Sequence, residues 1–113
     1  MKKFEEVIAW QKAKILTEEI YASFKFCRDF SFKDQMQRAS LSILNNIAEG
    51  FERNTNKELI HFLYIAKGSC GEVRSMLYIA VGLGYINKKN FDRIHQIAEE
   101  ISKILFGFIR KLK

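Results

Sequence analysis

The sequence of 113 residues contains no proline and only six glycines. Proline and glycine are the residues that most often interrupt helices, so their scarcity predicts long helices. The chain also has no run of 18 apolar residues, and its first residues pass from two lysines into acidic residues without an apolar signal core. These absences argue against a membrane span and a secretory signal, and we expect a cytoplasmic location.

Cysteine is also scarce, with only Cys27 and Cys70 present. Two cysteines at this separation have neither metal-ligand spacing nor the density of a disulfide scaffold, so reduced thiols are expected. Cys70 falls in the middle of a predicted helix, on its apolar side and without a histidine at catalytic spacing. We interpret it as a small buried hydrophobic residue.

The two histidines occur as Glu58-x-x-His61 and Asp92-x-x-His95, a spacing that di-iron helical bundles use. Each pair lies in the first turns of its helix, and the two helices are predicted to be antiparallel. At 1.5 Å per residue the pairs would lie roughly 35 to 40 Å apart. The sequence therefore predicts no metal, no cofactor and no catalytic residues, and a protein that is not an enzyme.

Apolar residues recur at helical spacing in four segments, at about residues 5–26, 33–49, 55–81 and 87–113. Short connections between amphipathic helices favour antiparallel neighbours. The predicted fold is all-α, an up-down-up-down antiparallel four-helix bundle that forms a single domain over residues 1–113. The core seam of the fourth helix is expected to consist of Phe91, Ile94, Ala98, Ile101, Leu105, Phe108 and Leu112.

Residues at the predicted helix ends suggest how the helices stop and start. Gly50 is expected to end the second helix, and Gly82 and Gly84 the third. Thr55 and Glu58 form a capping-box pattern at the start of the third helix. Three aromatic residues of the first connection are expected to cover the apolar end of the bundle: Phe26, Phe30 and Phe32.

The third predicted helix carries more apolar surface than one small bundle can bury. Beside its core seam lies a second apolar row, and a third row has small residues between two tyrosines, which would let another helix approach closely. We therefore expect a homo-oligomer, although exposed tyrosines and glycines are also tolerated on ordinary surfaces. The candidate oligomer interface consists of Tyr64, Gly68, Gly71, Ser75 and Tyr78.

Polar residues at helical spacing on the second and third helices suggest polar contacts that hold these helices together, which we call polar pins. Glu49 and Arg53 have the spacing of an i,i+4 ion pair. Glu72, if buried, would require a partner such as Arg53, Arg38 or Asn46. A solvated helix face explains the same spacing equally well. The candidate structural motif consists of Ser42, Asn46, Glu49, Arg53, Ser69 and Glu72.

The net charge is +6, and its excess lies in residues 88–113, which hold seven basic and three acidic residues. Basic charge favours nucleic acid through counterion release, but acidic residues interrupt this helix, as is typical of a solvated face. The candidate nucleic-acid-binding residues are Arg93, Lys103, Arg110, Lys111 and Lys113.

Two stretches, Arg38 to Arg53 with its Ser-Ile-Leu-Asn-Asn-Ile-Ala-Glu-Gly sequence and Phe62 to Val73, resemble a known family. This is the bacterial four-helix-bundle family known from open reading frames within intervening sequences of 23S ribosomal RNA genes. The resemblance extends over nearly the whole chain. It implies a ring-like homo-oligomer, typically a pentamer, and by position it includes the six polar residues named above.

The resemblance implies little about activity. Relatives that serve diversity-generating retroelements are accessory proteins that bind nucleic acid and a reverse transcriptase. The leading hypothesis is thus a non-enzymatic, homo-oligomeric bundle that binds RNA or a nucleoprotein. The alternative is a structural or protein-interaction module whose charge serves solubility. Neither a membrane nor a small-molecule substrate is expected as a partner.

Overall fold

A computed structural model describes residues 3–113, and within them 84% of the chain is helical with no strand. A short 3₁₀ turn precedes the first of four α-helices. Their bounds are α1 Ile8–Ser23, α2 Phe30–Phe51, α3 Asn56–Gly82 and α4 Lys88–Leu112. No helix in this part of the chain combines the length and apolarity that a membrane crossing requires.

Each helix packs against the two that neighbour it in a square: α1 on α2 and α4, and α3 on α2 and α4. The order of contacts along neighbouring helices shows that these pairs run antiparallel. Gln35 of α2 meets Glu72 of α3, and the later Ser42 meets the earlier Ser69. In the same way Lys12 of α1 meets Glu100 of α4, and the later Glu19 meets the earlier Arg93. The body measures 43 × 21 × 20 Å around one apolar core. The predicted all-α four-helix bundle is confirmed.

The second helix begins earlier than the apolar spacing predicts. Asp29 accepts a hydrogen bond from the Phe32 backbone N–H, which is the N-cap arrangement that starts a helix. Phe30 is consequently the first helical residue and points outward, 69% exposed, while Phe26 is 86% exposed. The prediction that these two rings cover the end of the core is wrong. Phe32 alone does so, with its ring 5.3 Å from that of Tyr85.

Gly50 does not end α2, contrary to the prediction, because the helix continues through Phe51. Gly50 is instead buried where α2 meets the first turns of α3. A Cβ atom added there would lie 2.9 Å from Leu59 Cδ1 and 3.1 Å from Phe62 Cβ. The glycine therefore allows a closer approach of two helices than any other residue would permit.

The third helix ends at Gly82, as its glycines predict. Gly84 has φ +77°, in the left-handed region that glycine favours. The backbone N–H of Gly84 donates to the Val81 carbonyl, and that of Tyr85 to the Ala80 carbonyl. These two bonds form a Schellman motif, which satisfies carbonyl groups at the helix end.

The starts of α3 and α4 are capped by side chains, whereas α1 begins after Val7 without a side-chain cap. Thr55 accepts from the Glu58 backbone N–H, as predicted, but the Glu58 carboxylate accepts from the Thr55 hydroxyl rather than from its backbone. Asn87 accepts from the backbone N–H of Asn90 at the start of α4.

The last turns of α4 differ from the predicted seam. Ile109 is fully buried, whereas Phe108 and Leu112 are half-buried. After Leu105 the buried position advances by four residues instead of three, because an α-helix has 3.6 residues per turn. The Phe108 ring packs edge-on against Phe51 at 5.4 Å, at the rim of the core.

Candidate nucleic-acid interface and polar contacts

Three of the six polar motif residues meet between α2 and α3. The hydroxyls of Ser42 and Ser69 are 2.8 Å apart, in hydrogen-bond contact. Asn46 Nδ2 donates to the Ser42 carbonyl at 2.8 Å and to its hydroxyl at 3.1 Å. These half-buried groups form a polar pin across the α2–α3 contact.

The other three motif residues lie apart from this pin. Arg53 pairs with Glu49 at 2.6 Å, the expected i,i+4 contact, and its guanidinium lies 4.8 Å from the centre of the Phe62 ring. Glu72 is exposed and accepts a hydrogen bond from Gln35 at 3.5 Å. Because Glu72 is not buried, it does not require a charged partner.

The five candidate interface residues on α3 fall into two groups. The tyrosines face α4: the Tyr64 ring lies 5.3 Å from the Lys113 ammonium, and Tyr78 packs against Phe91 and His95 at 5.2 Å. The small residues of the row were interpreted as a place for close approach. Gly68 and Ser75 are exposed, and a Cβ added at Gly68 would meet nothing within 4 Å.

Gly71, the remaining member of that row, is half-buried. An added Cβ there would lie 3.8 Å from the Arg74 guanidinium, which is ordinary contact. The outward side of α3 and its C-cap also carry apolar side chains that the bundle leaves exposed: Ile65 and Ile79 in the helix, and Leu83 directly after it.

Among the five candidate nucleic-acid-binding residues, Arg93 stands apart. Its Nε donates to Glu19 of α1 at 2.9 Å, and its Nη1 donates to Asn90 at 3.0 Å. Arg93 is thus a bridge between α1 and α4 whose charge is already balanced.

The other four candidates lie in the C-terminal half of α4 or directly after it, and all four are exposed. Within residues 3–113, no carboxylate lies within 4.0 Å of them: Lys103, Arg110, Lys111 and Lys113. The Arg110 guanidinium lies 5.7 Å from the centre of the Phe106 ring. The cluster therefore combines unbalanced positive charge with exposed aromatic surface.

Two basic residues of α3 join this cluster, although charge counting along the sequence did not single them out. The Lys67 ammonium lies 5.8 Å from the centre of the Phe106 ring, and Arg74 lines the same groove between α3 and α4. Their spacing of seven residues, about two helical turns, places both on one side of α3. That spacing is visible in the sequence, but which side faces α4 is not.

Other reactive side chains that the sequence singled out are either buried or engaged by a neighbouring side chain. Burial raises the pKa of the Cys70 thiol to about 12. Asp92 pairs with Lys88, and Glu58 contacts Thr55. Across the described chain, residues 3–113, no three side chains of histidine, cysteine, aspartate or glutamate come together as metal ligands would.

Comparison with known proteins places these features in context. A family model described as 23S rRNA-intervening sequence protein matches residues 5–107. A crystal structure of a protein of unknown function from the S23 ribosomal protein family of Bacteroides thetaiotaomicron VPI-5482 is similar, with a TM-score of 0.86 and 24% sequence identity. The match covers 90% of this chain and 98% of that one, and it is a likeness of fold. No curated protein matches the chain.

Proposed function

Since this chain belongs to the 23S rRNA-intervening sequence protein family, we propose that it is a non-enzymatic, homo-oligomeric bundle that binds RNA, free or within a nucleoprotein. The binding surface is the α3–α4 side of the C-terminal half of α4, where Lys103, Arg110, Lys111 and Lys113 lie.

The observation that carries this proposal is the distribution of balanced and unbalanced charge. Six basic residues elsewhere in the described chain are paired with acids, as in Lys14 with Glu18 and Arg38 with Asp34. Other basic residues there, such as Lys57 and Lys89, are also unpaired, but the binding surface is distinguished by four unpaired basic residues that lie together at one end of the bundle. The four residues of the binding surface have no such partner within the described chain, so their charge is available to phosphates. Neutralised phosphates release counterions, which favours binding at low salt.

Self-association is supported by the exposed apolar side of α3. Ile65, Ile79 and Leu83 lie there beside Gly68 and Ser75, and burying them against another copy would remove apolar area from water. A closed ring is the arrangement that the family resemblance implies, and pentamers are typical of it. A ring would also repeat the basic surface in every protomer, which raises avidity for a long polyanion.

Light scattering coupled to size exclusion tests both parts of the proposal, with and without a mixed RNA pool at low and moderate salt. The expected result is a particle well above the 13.3 kDa of one chain, which takes up RNA at low salt and releases it as salt rises. A stable monomer would contradict the homo-oligomer. An RNA complex that is indifferent to salt would contradict the basic surface.

The exposed apolar side of α3 also favours a second candidate, a protein-interaction module without a nucleic-acid role. This alternative predicts an assembly that ignores RNA at every salt concentration. Reversing charge on α4 by Lys111→Glu and Lys113→Glu separates the two candidates, because it should abolish RNA uptake and leave protein assembly unchanged.

A further inference from the structure

We infer that the groove between α3 and α4 binds single-stranded RNA, an inference that rests on the proposed RNA binding. The groove would hold a backbone phosphate near Arg74 and an unpaired base against the Phe106 ring. The groove is a shallow, open depression, and its lining residues are Lys67, Arg74, Ser102, Lys103 and Phe106. Two helices thus contribute to it, each with basic side chains.

The three basic side chains of the groove form no ion pair among the described residues. Lys67, Arg74 and Lys103 have no carboxylate within 4.0 Å in the part of the chain that the structure describes. Of the acids of α4 in this region, Glu100 contacts Lys12 of α1 at 3.3 Å, and Glu99, one turn before Lys103 on the same side of the helix, contacts His95 at 3.5 Å. Three like charges in one groove repel each other, and an anion bound among them would remove that cost.

Arg74 is the anchor of the site. Its Nε is buried and has no hydrogen-bond partner within residues 3–113. Because this Nε is closed off from solvent, a phosphate in the groove would contact the other nitrogens of the guanidinium, while burial of the inner part of the side chain restricts its movement. Guanidinium groups match the geometry of phosphate oxygens, and the Ser102 hydroxyl at the groove wall is a further donor. A phosphodiester therefore fits the groove better than a neutral or cationic ligand.

Phe106 indicates that the nucleic acid is single-stranded. Its ring is 50% exposed, and two cations, Lys67 and Arg110, lie within 6 Å of its centre. When phosphates draw these cations away, the ring becomes a surface on which an unpaired base stacks. A duplex keeps the faces of its bases stacked inside and presents phosphates, 2′-hydroxyls and base edges, so it would gain little from the ring.

The site and the proposed self-association surface do not compete. Lys67 and Arg74 lie on the side of α3 that faces α4. Gly68, Ile65 and Ile79 lie about 100° or more farther around the helix, since successive residues are rotated by about 100°. A ring built through the outward side of α3 would therefore leave the groove open.

The test is fluorescence anisotropy with a labelled unstructured RNA 12-mer and a hairpin of matched length, each at several salt concentrations. Arg74→Gln is expected to weaken binding of the 12-mer about tenfold and to lower the salt slope by about 0.7. Lys103→Gln should act in the same direction, about threefold, and guards against a folding defect at position 74. Phe106→Leu should weaken binding of the 12-mer about tenfold and of the hairpin less than twofold.

Matched controls carry the same changes outside the groove. Arg93→Gln removes one charge from an ion-paired residue of α4, and Phe26→Leu removes an exposed ring at the opposite end of the bundle. Both are expected to alter affinity less than twofold, and circular dichroism checks that every variant folds.

The outcomes separate the two proposals. Wild-type protein that does not bind RNA at low salt would contradict the proposed function, and the groove assignment with it. Wild-type binding that Arg74→Gln and Lys103→Gln weaken no more than Arg93→Gln does would overturn the groove and leave the function standing. Equal effects of Phe106→Leu on the 12-mer and the hairpin would overturn the assignment to single strands.

Discussion

Gly50 offers a sharp test of how α2 and α3 pack. A Cβ atom at this position would lie 2.9 Å from Leu59 Cδ1 and 3.1 Å from Phe62 Cβ, and ordinary contacts begin near 3.4 Å. The Leu59 methyl can rotate away, but Phe62 Cβ is fixed to the backbone of α3. Gly50→Ala would therefore push the two helices apart or force a side chain out of its preferred rotamer.

The magnitude follows from two opposing effects. Alanine is favoured over glycine inside a helix by about 1 kcal/mol. Overpacking of a well-packed contact costs about 1–3 kcal/mol. We expect Gly50→Ala to lower the free energy of unfolding by about 1 kcal/mol, which corresponds to a fall in Tm of about 4 °C for a domain of this size.

Gly107 is the matched control, because it lies inside α4 and an added Cβ would meet nothing within 4 Å. Gly107→Ala should raise the free energy of unfolding by about 1 kcal/mol through helix preference alone. Urea unfolding followed by circular dichroism at 222 nm measures both variants, at one fixed protein concentration because assembly would shift the midpoint. A Gly50→Ala protein as stable as Gly107→Ala would refute the close approach of α2 and α3.

Three further predictions concern half-buried and buried polar or ionisable groups. Ser42→Ala and Ser69→Ala should each lower the free energy of unfolding by about 1 kcal/mol, and a double-mutant cycle should give a coupling of about 0.5–1 kcal/mol; zero coupling would contradict the hydroxyl–hydroxyl contact. At pH 8 a thiol reagent should modify half-buried Cys27 well before buried Cys70. The pKa of Cys70 is raised from 9.0 to about 12, so above pH 9 the unfolded chain binds fewer protons than the folded one. The free energy of unfolding should therefore fall between pH 9 and about 12, by about 1.4 kcal/mol per pH unit from this group, and the excess slope should be absent in Cys70→Ala.

The helices of this protein were predictable because their signals are local and repeated. The seam of α3, which includes Leu63, Cys70 and Leu77, has the period of a helix over many turns, and all three residues are buried. Caps at Thr55 and Asn87 depend on residues only three positions away. The prediction was weaker at helix ends, where one capping residue such as Asp29 shifts the start of a helix and turns an aromatic side chain outward.

The candidate site was only partly predictable. Lys103 and Arg110 are conspicuous in a basic helix, and the structure leaves them unpaired within the described chain. Arg93 has the same appearance in the sequence, but Glu19 of α1 balances its charge. That pairing joins residues 74 positions apart, so no local pattern reports it. Lys67 and Arg74 were passed over for the same reason, since their role depends on which face of α3 meets α4.

Sequence alone therefore determined the class of this protein: a chain without proline, with four amphipathic segments and a basic last quarter, folds as an all-α bundle because burial of one apolar face per helix is its best solution. The tertiary structure decided which side chains meet. Gly50 against Phe62, Arg93 with Glu19, and Lys67 beside Phe106 all depend on how each helix is rotated about its axis and shifted along its neighbour. Rotation and shift are set by the packing of whole helix surfaces, which no single stretch of the sequence encodes.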